Sequence, residues 1–128
     1  MTTRIEHLNI TVSDADRTAA MLVDLFDWTI RWKGEAKDSG TSIHVGGPEN
    51  GDDYLAIYTP PSPAPARPDG QTVAFINHVG VLVDDLDEIE RRVIAAELTP
   101  HSHGDYEPGR RFYFDDPDGI EFEVVSYS

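Results

Sequence analysis

Two histidines occupy the same place in a repeated segment of this chain. Residues 5–16 read IEHLNITVSDAD and residues 76–87 read INHVGVLVDDLD, so His7 and His78 correspond at an offset of 71 residues. Ile5 and Ile76, Val12 and Val83, Asp14 and Asp85, and Asp16 and Asp87 match at the same offset, the mark of an internal duplication. One such histidine is readily a polar residue lining a groove. Two at equivalent positions suggest that the halves share a site, and neutral imidazole is the commonest nitrogen ligand for a transition metal. A carboxylate would complete such a set. The last strand candidate, Ile120–Tyr127, offers Glu121 and Glu123 on one face, with Phe122 and Val124 on the other. An acidic residue in the middle of a strand is poorly explained by sheet propensity, although an exposed edge would tolerate one.

The elements that must position these groups are legible from periodicity. In residues 5–12, Leu8, Ile10 and Val12 alternate with His7, Asn9 and Thr11; in the second copy Val79, Val81 and Val83 alternate with His78, Gly80 and Leu82. Ser13 or Asp14, and Asp84 or Asp85, are placed to cap a following helix. The stripe Leu86, Ile89, Val93, Ala96 and its counterpart Ala15, Thr18, Leu22, Leu25 give each helix one apolar face to cover the apolar side of its own sheet. The histidine side is then left open. Three strands follow each helix. Trp28–Lys33, Thr41–Val45 and Tyr54–Thr59 are expected in the first half, broken by Gly34, by Gly46-Gly47-Pro48 and by Asn50-Gly51. A weak strand near Leu98–His103, then Arg110–Phe114 and Ile120–Tyr127, are expected in the second, with Asp116-Pro117-Asp118-Gly119 as the tight turn between the last two. The stretch TPPSPAPARPDG holds five of the chain's nine prolines and reads as a stiff linker. The expected organisation is one domain: module one over 1–58, the linker over 59–71 and module two over 72–128.

Bulk composition excludes several functions. With 10 Lys+Arg against 24 Asp+Glu and a formal charge of −14, the chain lacks the basic footprint of a nucleic-acid binder. Zero cysteines exclude disulfides, zinc–thiolate sites and thiol nucleophiles. No stretch approaches the length of apolar sequence that spans a membrane, and the N-terminus lacks a signal-peptide pattern, so a cytoplasmic protein is expected. The acidic balance suits a solvated surface, or a negative cleft that attracts a cationic ligand.

The paired strand–helix–three-strand modules, a histidine on the first strand of each, and FYFDDPDGIEFE before the C-terminus resemble the vicinal oxygen chelate superfamily. That superfamily includes glyoxalases, fosfomycin-modifying enzymes, extradiol dioxygenases and bleomycin resistance proteins. The resemblance implies an α+β fold of two βαβββ modules, each forming a curved sheet that half-encloses a cup. It implies a divalent metal (Fe, Mn, Ni or Zn) held by His7, His78 and Glu123; Glu121 is not the matching position. Glu123 and Tyr113 would be catalytic, with Asn9, Arg111, Tyr113 and Tyr54 contacting a small-molecule substrate. Arg110 or Arg111 would hold a carboxylate or phosphonate, unless the arginines only pair with the acidic surface. Glyoxalase I enzymes usually carry a second Glu on the last strand of the first module. Here Ala56 stands at that place, which leaves a three-ligand set with open positions for a chelating substrate. The implied function is a metal-dependent, glyoxalase-like enzyme acting as lyase, isomerase or dioxygenase. The alternative is a metal-free bleomycin-resistance-type protein sequestering a cationic ligand. A homodimer is expected, the modules pairing within one chain or across two. His101 and His103, in a loop-like stretch, could act as a gate or proton shuttle; His44, His103 and Glu121 are candidate general bases.

Overall fold

The computed structural model describes residues 3–47, 51, 53–63, 65, 70–107 and 109–127. The chain divides into two compact units, residues 1–65 and 66–128. The first contains β1 (His7–Thr11), α1 (Ala15–Phe26), β2 (Thr29–Glu35), β3 (Thr41–Gly46) and β4 (Tyr54–Thr59). The second contains β5 (Val79–Leu82), α2 (Leu86–Ala95), β6 (His101–Tyr106), β7 (Gly109–Asp115) and β8 (Glu121–Ser126). Each unit is therefore βαβββ, and each sheet has the same topology, β1-β4-β3-β2 and β5-β8-β7-β6. The first strand runs parallel to the last, and the remaining pairs are antiparallel.

Both helices start where an aspartate can accept from an orphan backbone donor. Asp14 Oδ1 accepts from the Arg17 N–H at 3.1 Å, and Asp85 Oδ1 from the Glu88 N–H at 3.0 Å. The helix stripes bury as the periodicity requires. Ala15, Thr18, Ala19, Leu22 and Leu25 pack over a sheet face built from Ile10, Ile43, Val45, Leu55 and Ile57. Leu86, Ile89 and Val93 cover Phe112, Phe114, Phe122 and Val124, with Phe114 and Phe122 stacked at 5.2 Å. Ala96 does not extend this stripe: it is the exposed C-cap, followed by Glu97 in the left-handed region at φ 65°.

Two strand expectations are corrected. Gly34 does not end β2 but lies within it, paired with Ser42. The irregularity in this strand falls earlier, between Ile30 and Trp32. The weak strand placed near 98–103 begins only at His101 and runs to Tyr106, so His101 and His103 are strand residues rather than loop residues. Its sequence, HSHGDY, has little sheet propensity; it forms because the backbone of β7 offers an edge to pair with, and context outweighs propensity. Strand β4 spans Tyr54–Thr59 as expected, the Thr59 hydroxyl donating to the Val12 carbonyl, and the proline-rich stretch follows it. Within that stretch, residues 64 and 66–69 lie outside the described residues, as do 48–50 of the expected break after β3 and Pro108.

Candidate functional site

In both units the pleat puts one set of side chains on the face opposite the helix. In the second unit, strand pairing aligns Gly80, Glu123, Tyr113 and His101 in one row across β5, β8, β7 and β6. In the first, the same topological row reads Asn9, Ala56, His44 and Trp32. Ala56 thus occupies the position of Glu123, and His44 that of Tyr113. The side of His44, undecided from sequence, is the open face.

Glu123, on the second unit's open face, is held by three neighbours. Its Oε2 accepts from Tyr113 Oη at 2.8 Å and from Arg111 Nη1 at 2.9 Å. Its Oε1 lies 3.3 Å from Nε2 of His78, the residue immediately before β5. Burial favours the protonated acid here. The hydrogen bonds from Tyr113 and Arg111, with the charge of His78, outweigh it and hold the carboxyl below its ordinary range. The same hydrogen bond to Glu123, with burial and the carboxylate charge, pushes the Tyr113 phenol up to about 12. Tyr113 therefore stays a neutral donor across the physiological range.

Arg111 is fully engaged. Its side chain is only 9% exposed, its Nε and Nη2 donate to the Gly109 carbonyl and Nη2 also to that of Tyr106, and its guanidinium lies 4.5 Å over the Tyr106 ring. The geometry makes it a clamp on Glu123. Arg110, by contrast, points to the other side and pairs with Asp87 of α2 at 2.8 Å.

Each repeated histidine is tethered through Nδ1 by the residue before it. His7 Nδ1 lies 2.9 Å from Glu6 Oε1, and His78 Nδ1 lies 2.7 Å from Asn77 Oδ1. A carboxylate can only accept, so His7 carries its proton on Nδ1; an amide oxygen sets His78 the same way. Nε2 of His7 is left with the lone pair a cation would need, while Nε2 of His78 faces the Glu123 carboxylate, where a bound cation would take the place of a proton. The sequence signal for this tether is a polar residue directly before the histidine in both copies, which strand periodicity alone does not bring out.

The first unit's open face is aromatic. His7 stacks on Tyr54 at 4.9 Å, His44 stacks on Tyr54 at 4.6 Å, and Trp32 leans on His44 at 4.9 Å. Tyr54 Oη donates to Glu6 Oε1 at 3.2 Å. A cavity of about 660 Å³ lies here, lined among others by Arg4, Glu6, Arg31, His44 and Tyr54. Burial, then the neighbouring His7, lower the basicity of His44 despite Glu6. Asn9 is exposed on the same face, opposite Ala56.

His101 and His103 do not act as a pair. Ser102 takes φ 55° and the β6–β7 register slips between His101 and Gly104, so the two rings face opposite ways. His101 stacks on Tyr113 on the open face; His103 stacks on Phe112 and meets Glu90 of α2 at 2.8 Å. Glu121 is on the open face but beside Asp115 and His101, away from the partners of Glu123.

Comparison with known proteins agrees with this architecture. The family model described as Glyoxalase/Bleomycin resistance protein/Dioxygenase superfamily matches residues 4–124. A glyoxylase/bleomycin resistance protein/dioxygenase domain from Frankia sp. EAN1pec superposes with TM-score 0.81 at 19% identity, covering 98% of each chain. The trypanothione-dependent glyoxalase I of Leishmania major gives 0.80 at 22%, covering 98% of this chain and 88% of that one. The fosfomycin resistance protein FosX of Listeria monocytogenes, as a mutant complexed with Mn(II) and 1S,2S-dihydroxypropylphosphonic acid, gives 0.75 at 19%, covering 98% and 93%. These identities establish the shared fold. No curated protein matches. With its two βαβββ units and a family match over nearly its whole length, the chain belongs to the Glyoxalase/Bleomycin resistance protein/Dioxygenase superfamily.

Proposed function

We propose that this protein is a divalent-metal-dependent enzyme acting on a small substrate that presents adjacent oxygens, with His7, His78 and Glu123 as the metal ligands. The observation that carries the reading is the state of Glu123. One carboxylate oxygen is held by two charged or polar donors, and the other lies 3.3 Å from Nε2 of the tethered His78. Metal-bound histidines and carboxylates characteristically have their second polar atom fixed in this way. His7, tethered identically through Glu6, is the matching ligand from the other copy of the repeat. Two imidazole nitrogens and a carboxylate oxygen suit iron, manganese, nickel or zinc. Bound there, such an ion supplies Lewis-acid polarisation of a chelating substrate's oxygens.

The chain's own residues divide the remaining work. Arg111 and Tyr113 position Glu123, and Tyr113 keeps its proton to donate toward substrate or carboxylate. Asn9, Tyr54 and His44 line the open face of the first unit. Arg4 and Arg31 at its cavity favour an anionic or oxygen-rich group over a cation, which favours the enzyme over the drug-sequestering alternative. Alanine at position 56 leaves no fourth side-chain ligand at that place and supports a three-ligand arrangement. The test is turnover of small diols, α-hydroxycarbonyls and 2-oxo compounds. Activity abolished by a chelator and restored by one of the four ions is the expected outcome. Undiminished turnover in metal-stripped protein would defeat the reading.

A further inference from the structure

A second cluster on the second unit's open face lies outside the His78–Glu123 group. The register places Asp115, the last residue of β7, directly opposite Glu121, the first of β8. Both side chains project from the same face, and like charges at directly opposed positions destabilise a strand pair. His101, on the edge strand β6, is opposite Tyr113 and so diagonal to Asp115. Ligand atoms of His101, Asp115 and Glu121 all lie within 4.8 Å of one another.

The state of His101 sharpens this geometry. Its Nδ1 is 2.8 Å from Ser102 Oγ, while its Nε2 is shielded from solvent and makes no hydrogen bond. That nitrogen lies 3.5 Å from Asp115 Oδ2. Two ligands each about 2.1 Å from a shared ion stand roughly 3.0–3.4 Å apart, so this separation needs little adjustment. Among the described residues, neither carboxylate is paired with a lysine or arginine.

We propose that His101, Asp115 and Glu121 form a second divalent-cation site, separate from His7, His78 and Glu123. One imidazole and two carboxylates select a borderline first-row ion, of which Zn(II) and Mn(II) are the probes, with water in the remaining positions. The ion neutralises the Asp115–Glu121 pair and ties the edge strand β6 to β7 and β8, bridging the bulge at Ser102. The net charge of −14 raises the local cation concentration. The Tyr113 ring lies between the two groups, stacked on His101 at 6.3 Å and edge-on to His78 at 5.8 Å.

The experiment is a calorimetric Zn(II) titration of the full chain at high salt, which screens diffuse binding to acidic surface. Two equivalents are expected for the wild type and one for His7→Ala/His78→Ala. None is expected once Asp115→Asn/Glu121→Gln is added, with circular dichroism reporting the fold of each variant. His101→Gln in the His7→Ala/His78→Ala background should weaken the remaining equivalent about tenfold or more. Should the quadruple variant unfold, nitrogen coupling to bound Mn(II) in the His7→Ala/His78→Ala protein, lost on His101→Gln, decides instead. The proposal is overturned if His7→Ala/His78→Ala binds nothing, if its binding ignores the change at positions 115 and 121, or if the nitrogen coupling is absent or survives His101→Gln. One equivalent in the wild type that is lost with Asp115 and Glu121 but not with His7 and His78 would sustain this site while defeating the ligand set proposed above.

Discussion

At the scale of single residues, the account rests on how Glu123 is held. Arg111 fits its role through five planar donors, of which three nitrogens are in use here. Lysine cannot reproduce that fork. Arg111→Lys should therefore weaken metal binding about tenfold, as loss of an orienting partner does, measured by competition with a chromophoric chelator. Unchanged affinity would show that Arg111 does not orient the carboxylate. Tyr113 gives a pH signature in the metal-free protein. Its folded pKa of about 12 exceeds the ordinary 10.0, so its contribution to stability is complete below pH 10 and is lost as pH rises toward 12. The wild-type minus Tyr113→Phe absorbance difference should show phenolate forming near pH 12, and closer to pH 10 in a Glu123→Gln background. The histidines were legible because a repeat writes them twice. The role of Arg111 was not, because its anchors are the backbone carbonyls of Tyr106 and Gly109, which no side-chain pattern encodes. Expected as a substrate contact, it is seen committed to Glu123.

At the scale of elements, caps and stripes carried the prediction. Asp14 and Asp85 each satisfy one orphan N–H, so Asp14→Ala or Asp85→Ala should cost about 1 kcal/mol in urea denaturation. The stacked Phe114 and Phe122 are both fully buried, and Phe114→Ala should cost about 3–5 kcal/mol. A loss below about 1 kcal/mol would mean that the second unit's core does not depend on this pair. The turn from Asp116 to Gly119 was readable because its chemistry is local: Gly119 sits at φ 85°, and Asp116 Oδ1 accepts from the N–H groups of Asp118 and Ile120. Strand β6 was misplaced because its stability comes from pairing with β7, which lies beyond any local window. The same slip hid the divergence of His101 and His103.

At the scale of the whole chain, duplication explains both the likeness and the difference of the halves. Topology and helix packing are common to both units, while the row Asn9–Ala56–His44–Trp32 lacks the acidic and phenolic groups of Gly80–Glu123–Tyr113–His101. Divergence at open-face positions leaves the apolar periodicity untouched, which is why the fold was legible to a degree the site was not. Among the described residues no helix is long and apolar enough to cross a membrane. The charge of −14 should make the folded chain self-repelling, so moderate NaCl should raise its melting temperature by screening. The most direct test of the central claim is metal content by elemental mass spectrometry on untagged protein, after reconstitution with each of Fe(II), Mn(II), Ni(II) and Zn(II) in turn. Glu123→Ala and Asp115→Asn/Glu121→Gln should be prepared identically. A metal equivalent that survives loss of Asp115 and Glu121 but disappears with Glu123 is the predicted result; equal metal in wild type and Glu123→Ala, or none in either, would contradict the account.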